Sequence, residues 1–428
     1  MSRPVVPTEL VAPIYDPRSF GERSNVEAVL ARLRKEHPLS VAEVPGYDPY
    51  WIVTKYDDVR EISRQDDIFH SGDRQKTLAP IAAEQMVLEY TGGKPAIFRT
   101  LTQMDAPDHP EYREVAAPAL SPKAVSQLDA LIRRKAKQYV DKMEAAGGEM
   151  DFAHDLAYYY PLDVICTLIG IPPEDHEKTL RLSQWLFNYA DPDLKRPGAD
   201  MMDPTEITKT WSIINEEWGE YFTKMIADRR ACPRDDIASL LSNAKIGGCP
   251  MADRETISYF VIASSAGHDT TAATTGTGMW QIARNPQLLE RLKAEPKLIM
   301  KFVEESIRWA TPVQHFIRSA AEDYEIKGRL IRKGDLVYLS YLSANRDEDQ
   351  FEDPFTFNPD RWPNRHIGFG YGRHVCLGQH LAREEVKAFW DELIPRLESV
   401  EMAGEGKLAQ SEFVSGPKSI PIRYRFKN

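Results

Sequence analysis

Phe369-Gly370-Tyr371-Gly372-Arg373-His374-Val375-Cys376-Leu377-Gly378 places one cysteine between a glycine-rich turn and the start of a periodic helix. Glycines let the backbone turn tightly and bring N–H groups close to a bound atom. Those amides, with the helix N-terminus that follows, favour the thiolate, which is the form in which cysteine ligates a metal. A lone cysteine is ordinarily a small buried hydrophobe, and that is the reading for Cys166, Cys232 and Cys249, which have no comparable surroundings. Gly368, Gly370 and Gly372 alternate like a dinucleotide-binding turn, but Arg373 stands where that fingerprint breaks and no βαβ pattern precedes it.

With 428 residues, 42% of them hydrophobic and 28% charged, the chain can bury a large core. Length alone suggests two or three domains. No Gly/Ser or Pro-rich linker, low-complexity tract or repeat divides it, so one domain over residues 1–428 is expected, with 1–50 as a polar, proline-punctuated extension packed on it. A formal net charge of −11 argues against a nucleic-acid-binding surface. Met1-Ser2-Arg3-Pro4 opens no signal-peptide pattern, and no apolar run reaches the length of about 18 residues that spans a bilayer, so a cytoplasmic protein without a membrane anchor is expected. Four scattered cysteines without CxxC spacing make neither a disulfide framework nor a zinc site.

Periodicity gives long helices at about 122–145, 208–230, 252–282, 286–310 and 377–397, separated by breakers such as Gly147-Gly148 and Pro172-Pro173, with a shorter one at Tyr56 to Arg64. Strand patterns are few and short: Tyr50 to Thr54, Leu336 to Ser340, and the C-terminal alternation of Ile422, Tyr424 and Phe426. The fold class is mainly α with a minor β part.

Three segments carry chemistry. His109 and Arg113, four residues apart on one helix face, can offer two positive donors to one anionic group. Tyr259 to Ala266 is apolar or small almost all round, which describes a buried helix, and Gly267, His268, Asp269, Thr270 and Thr271 follow within it. A buried acid and two hydroxyls need partners. The plain explanation is Thr270 bonding back to the Ala266 carbonyl while Asp269 reaches a surface cation. His268 has no second ligand at i+4 and stays unassigned. Glu305 and Arg308 are an i, i+3 pair that on a surface would be worth only a few tenths of a kcal/mol. In the helix from Leu377, the apolar stripe of Leu381, Phe389, Leu393 and Leu397 is core, with Arg383 and Lys387 turned outward.

A thiolate on haem iron donates electron density and favours O–O cleavage, whereas histidine ligation suits oxygen carriage. The cysteine loop resembles that of the cytochrome P450 family, F-x-x-G-x-H/R-x-C-x-G, at every defined position, and Ala266-Gly267-His268-Asp269-Thr270 is similar to that family's A/G-G-x-D/E-T. The resemblance implies the P450 fold, with heme b between two buried helices. It makes Cys376 the iron ligand, with Phe369 beside the sulfur and Gly378 closing the loop, and assigns His109, Arg113, Arg318 and His374 to the haem propionates. At Ala266 the helix is implied to open locally for dioxygen, with Thr270 supporting its activation and Asp269 relaying protons. Glu305, Arg308 and Arg361 of Phe357-Asn358-Pro359-Asp360-Arg361-Trp362 would fix the meander that delivers the cysteine, and Phe98, Ile262, Ala266, Val313 and Val414 are the substrate candidates.

The likeness is nearest to the soluble bacterial branch that hydroxylates terpineol and aromatic hydrocarbons, through Tyr47-Asp48-Pro49-x-Trp51-Ile52 and Cys376-Leu377-Gly378-Gln379-His380-Leu381-Ala382. It implies hydroxylation of a small apolar monoterpenoid or alkylaromatic by a monomer, using O2 and electrons from a separate [2Fe-2S] ferredoxin and its reductase. Arg113, Arg373 and Lys387 are candidates for steering that acidic partner. A peroxide-using haem-thiolate enzyme, or a haem sensor without turnover, is the alternative; Asp269 and Thr270 argue for O2 use.

Overall fold

Asp253–Arg284 forms one unbroken 32-residue helix, the axis around which the other elements pack. It is buried from Thr256 to Ala283 on most of its circumference, because Ser, Ala, Gly and Thr keep its surface low and let neighbouring helices approach. Tyr159–Ile169, Pro204–Ala231, Leu298–Ala310 and Gln379–Arg396 all pack directly on it. Gly267 shows how close they come: a Cβ there would lie 2.8 Å from Cγ1 of Ile165.

The computed structural model describes residues 3–200 and 203–427. Helices hold 54% of the protein, which makes it mainly α. The largest sheet runs in the order Ser40–Ala42, Tyr50–Val53, Leu336–Ser340, His315–Ala320, Phe69–His70, with Tyr50–Val53 parallel to Leu336–Ser340 and the other neighbours antiparallel. The C-terminal alternation forms Pro421–Phe426, paired antiparallel with Leu397–Met402, and buries Ile422 and Tyr424. Leu397 therefore begins a strand and does not end the cysteine helix.

Several expected boundaries move for local reasons. The segment 286–310 is two helices, Pro286–Ala294 and Leu298–Ala310, broken at Glu295-Pro296 where proline lacks an N–H. The segment 122–145 divides at Leu128 into Pro122–Gln127 and Asp129–Ala145. The helix expected from 208 starts earlier, at Pro204, because Asp203 caps it by accepting from the Thr205 N–H. The polar first 50 residues contain a helix, Arg23–Glu36, that buries Val26, Leu30 and Leu33 in a core shared with Tyr50, Ile317 and Leu336. Cys166 is buried as anticipated, but Cys232 and Cys249 are exposed, one at the end of the Pro204–Ala231 helix and the other in the short hairpin after it. Among the described residues, no helix is long and apolar enough to cross a membrane.

Candidate active site

The cysteine loop is closed by the Cys376 N–H donating to the Phe369 carbonyl at 2.8 Å. Gly372 has φ +75°, and a Cβ there would lie 2.1 Å from the Ser63 carbonyl oxygen, so both conformation and space demand glycine. Arg113 Nη2 donates to the Val375 carbonyl at 2.8 Å. Arg383 turns inward, contrary to the outward expectation, because Glu304 holds its Nε at 2.6 Å while its guanidinium lies 4.4 Å from the Phe369 ring centre. Cys376 keeps an accessible side chain although protein atoms crowd it, as in the wall of a deep cleft. Burial pushes its thiol up, outweighing the Gly378 N–H, Arg113 and Arg383, which favour the thiolate. The amides and nearby charges therefore do not ionise the sulfur unaided; a coordinated cation would.

Beside the sulfur lie two arginines and two histidines. The His109 and His374 rings lie 4.2 Å apart between centres, tilted by 35°, and His374 Nε2 lies 3.3 Å from Ser71 Oγ. Arg318, fully enclosed on the strand His315–Ala320, donates only to the neighbouring Ile317 carbonyl at 2.8 Å, and no carboxylate pairs with it among the described residues. Burial, with Arg318, His109 and Arg113 close by, drives His374 down to about 2, and burial with Arg113 drives His109 down to about 4. A buried guanidinium without a counter-ion, two neutral histidines and a second arginine suit a ligand with two carboxylates next to a thiol.

On the central helix, the Thr270 hydroxyl donates to the Ala266 carbonyl at 3.0 Å and Thr271 to Gly267 at 3.4 Å. The helix runs continuously through this stretch, with these hydroxyl back-bonds beside it. Nor does Asp269 reach a surface cation. Its partner is His268, whose Nε2 lies 3.0 Å from Asp269 Oδ1 while Nδ1 donates to the Ser264 carbonyl at 2.7 Å. Burial opposes a charge on His268, but Asp269 and the Ser264 carbonyl lift it above the ordinary imidazole range. The two side chains meet in close buried contact, but neither Asp269 oxygen accepts a hydrogen bond. Nothing in the spacing indicated this partnership, because adjacent residues on a helix do not usually face each other.

Glu305 and Arg308 make two parallel hydrogen bonds, 2.7 and 2.8 Å, both fully buried, and Arg361 Nε lies 3.4 Å from the same carboxylate. Glu305 also accepts from the Asn358 N–H and from Asn364, while Arg308 donates to the carbonyls of Asn345 and Pro354. One helix thus grips the irregular stretch that leads to the cysteine loop.

The main cavity is lined by Phe98, Phe187, Val261, Ile262, Ser265 and Phe413, with Lys76, Tyr189 and Glu412 as polar members that the sequence did not single out. Phe98 and Ile262 are brought together there. Val313 and Val414 instead pair with each other through a backbone bridge and pack into the cluster around Phe413, and Ala266 is not on that wall. Of the steering candidates, Lys387 is bound to Asp391 at 2.5 Å and Arg373 lies 3.3 Å from Asp66, so their charge is largely compensated, while Arg113 points inward.

This fold and these groups define the class of haem-thiolate monooxygenases. The chain belongs to the cytochrome P450 family, whose model matches residues 18–422. Cytochrome P450-terp of a Pseudomonas species is 38% identical over 99% of each chain. Linalool 8-monooxygenase of Pseudomonas putida is 30% identical over 92% of this chain and 94% of its own. A crystallised cytochrome P450 of Novosphingobium aromaticivorans superposes with a TM-score of 0.91 at 38% identity, covering 99% of this chain and 100% of its own. The family implies a haem-thiolate cofactor, an electron-transfer partner and a hydrophobic substrate.

Proposed function

We propose that the whole chain works as one catalytic domain that hydroxylates a small hydrophobic molecule, a monoterpenoid or alkylaromatic, by the balance RH + O2 + 2 e⁻ + 2 H⁺ → ROH + H2O. The observation that carries this reading is the juxtaposition of Cys376 with the unpaired Arg318, Arg113 and two neutral histidines, a donor set suited to heme b. Cys376 would ligate the iron, with Phe369 and Gly378 shaping its loop, and His109, Arg113, Arg318 and His374 would hold the propionates. When bound, the haem supplies oxygen activation. The protein supplies the rest. Asp269, buried against His268 inside the helix, would relay protons, and Thr270, one residue on, offers a hydroxyl that can swing from Ala266 to a ligand. Phe98 and Ile262 exclude water and orient the hydrocarbon, while Ala266, Val313 and Val414 lie off this cavity's wall. The names of P450-terp and linalool 8-monooxygenase support a terpenoid substrate.

By likeness to its family, electrons would come from a separate [2Fe-2S] ferredoxin and its reductase, with a cytoplasmic monomer as the working form. The test is Thr270→Ala in a reconstituted ferredoxin system. NADH consumption persists, and product per NADH falls at least about tenfold, within the usual range for a positioned proton-transfer group. An unchanged product yield would remove Thr270 from the mechanism.

A further inference from the structure

Glu412 is the most anomalous group in the cavity wall. Its side chain is 4% exposed; Oε1 accepts from the Tyr189 hydroxyl at 2.8 Å, and Oε2 has no hydrogen-bond partner at all. No lysine, arginine or histidine pairs with this carboxyl among the described residues. Its backbone is held firmly: the Glu412 carbonyl accepts from His315 Nδ1 at 3.0 Å, and the next carbonyl, that of Phe413, accepts from the Gln314 N–H at 2.9 Å. The free oxygen therefore lies at a wall that also carries the apolar side chains of Phe98, Phe187, Ile262 and Phe413. A buried oxygen without a partner is costly, and a ligand group that satisfies it regains that cost on binding.

We propose that Glu412, positioned by Tyr189, binds the hydroxyl of an alcohol substrate, so that the enzyme takes hydrocarbon alcohols in preference to the parent hydrocarbons. This rests on the monooxygenase reading and narrows its substrate class. An alcohol fits because it both donates and accepts, and so satisfies a carboxyl group in either protonation state. Burial raises the Glu412 carboxyl above its usual range with no cation to offset it, which disfavours a charged partner. Among the cavity's other polar members, which include Gln75, Thr100, Gln103, Tyr189 and Ser265, Lys76 makes the opposite demand. Its ammonium reaches only the hydroxyls of Thr100 and Thr102, at 3.4 and 3.2 Å, and would draw an anionic ligand.

The test uses the haem-loaded enzyme, first shown to give the thiolate band with CO, and calorimetric titration with three probes of one skeleton: p-cymene, 4-isopropylbenzyl alcohol and 4-isopropylbenzoic acid. The alcohol is expected to bind about tenfold more tightly than p-cymene, the scale of one satisfied buried hydrogen bond. Glu412→Leu abolishes that preference while p-cymene affinity stays within about threefold, which also reports an intact pocket; Glu412→Gln, which keeps a donor and an acceptor, retains most of it. Equal binding of alcohol and p-cymene by the unsubstituted enzyme, or tightest binding of the acid, overturns the proposal without recourse to any variant. A missing thiolate band overturns the monooxygenase reading instead, and the two failures are separate because calorimetric affinities do not depend on turnover.

Discussion

His315 couples the sheet to the cavity wall through both ring nitrogens. Nε2 accepts from the Leu78 N–H at 3.0 Å and Nδ1 donates to the Glu412 carbonyl at 3.0 Å, so the ring is folded in as the neutral tautomer. Burial holds its pKa down at about 3. The unfolded chain binds a proton near the ordinary value of about 6.5, so between those values it takes up protons that the native state refuses. The stability owed to neutral His315 is complete above about pH 6.5 and is lost as pH falls toward 3, by up to about 1.4 kcal/mol per pH unit. Urea unfolding of the protein and of His315→Gln between pH 7 and 4.5 should show a flatter acid dependence in the variant. Parallel curves would mean that the imidazole is not held neutral. None of this was visible in the chain, where His315 follows a helix end without any motif; only the meeting of residues 78, 315 and 412 reveals it.

At the level of the helix, Gly267 poses a choice between propensity and space. Alanine there gains up to about 1 kcal/mol of helix preference, yet its Cβ would sit 2.8 Å from Ile165 Cγ1, an overpacking worth about 1–3 kcal/mol. Gly267→Ala should therefore destabilise by about 1 kcal/mol, and the same change in an Ile165→Ala background should be neutral or stabilising. Additive effects in the double-mutant cycle would show that Tyr159–Ile169 does not press on this turn. The A-G-x-D-T pattern was legible because its residue types are unusual in a buried helix. The unbroken backbone, the 3.0 Å contact between His268 and Asp269 and the Ile165 contact were not, since each depends on rotamers and on a partner more than a hundred residues away or on the wrong side of the local periodicity.

Across the whole molecule, Glu305 joins the helix Leu298–Ala310 to the chain from Asn345 to Asn364 and so to the cysteine loop. Removing its charge leaves Arg308 buried and uncompensated. Glu305→Gln is expected to cost about 3–5 kcal/mol and to reduce haem retention, measured as the haem-to-protein ratio after gel filtration; a full haem complement at unchanged stability would contradict the anchoring role. This network separates the E-x-x-R pair from an ordinary surface ion pair, a distinction that rests on complete burial and not on spacing.

The linear chain was sufficient for the family, the mainly α class and the cysteine loop, because glycine placement, helical period and a short signature are local properties. It also carried the positions of His109, Arg113, Arg318 and His374, though not their convergence into one cluster around an unpaired guanidinium. The protonated bias of Cys376, the His268–Asp269 pair and the free oxygen of Glu412 arose only on folding. Each is a matter of desolvation and of which distant groups share one buried volume, and burial is a property of the packed molecule that no single segment possesses.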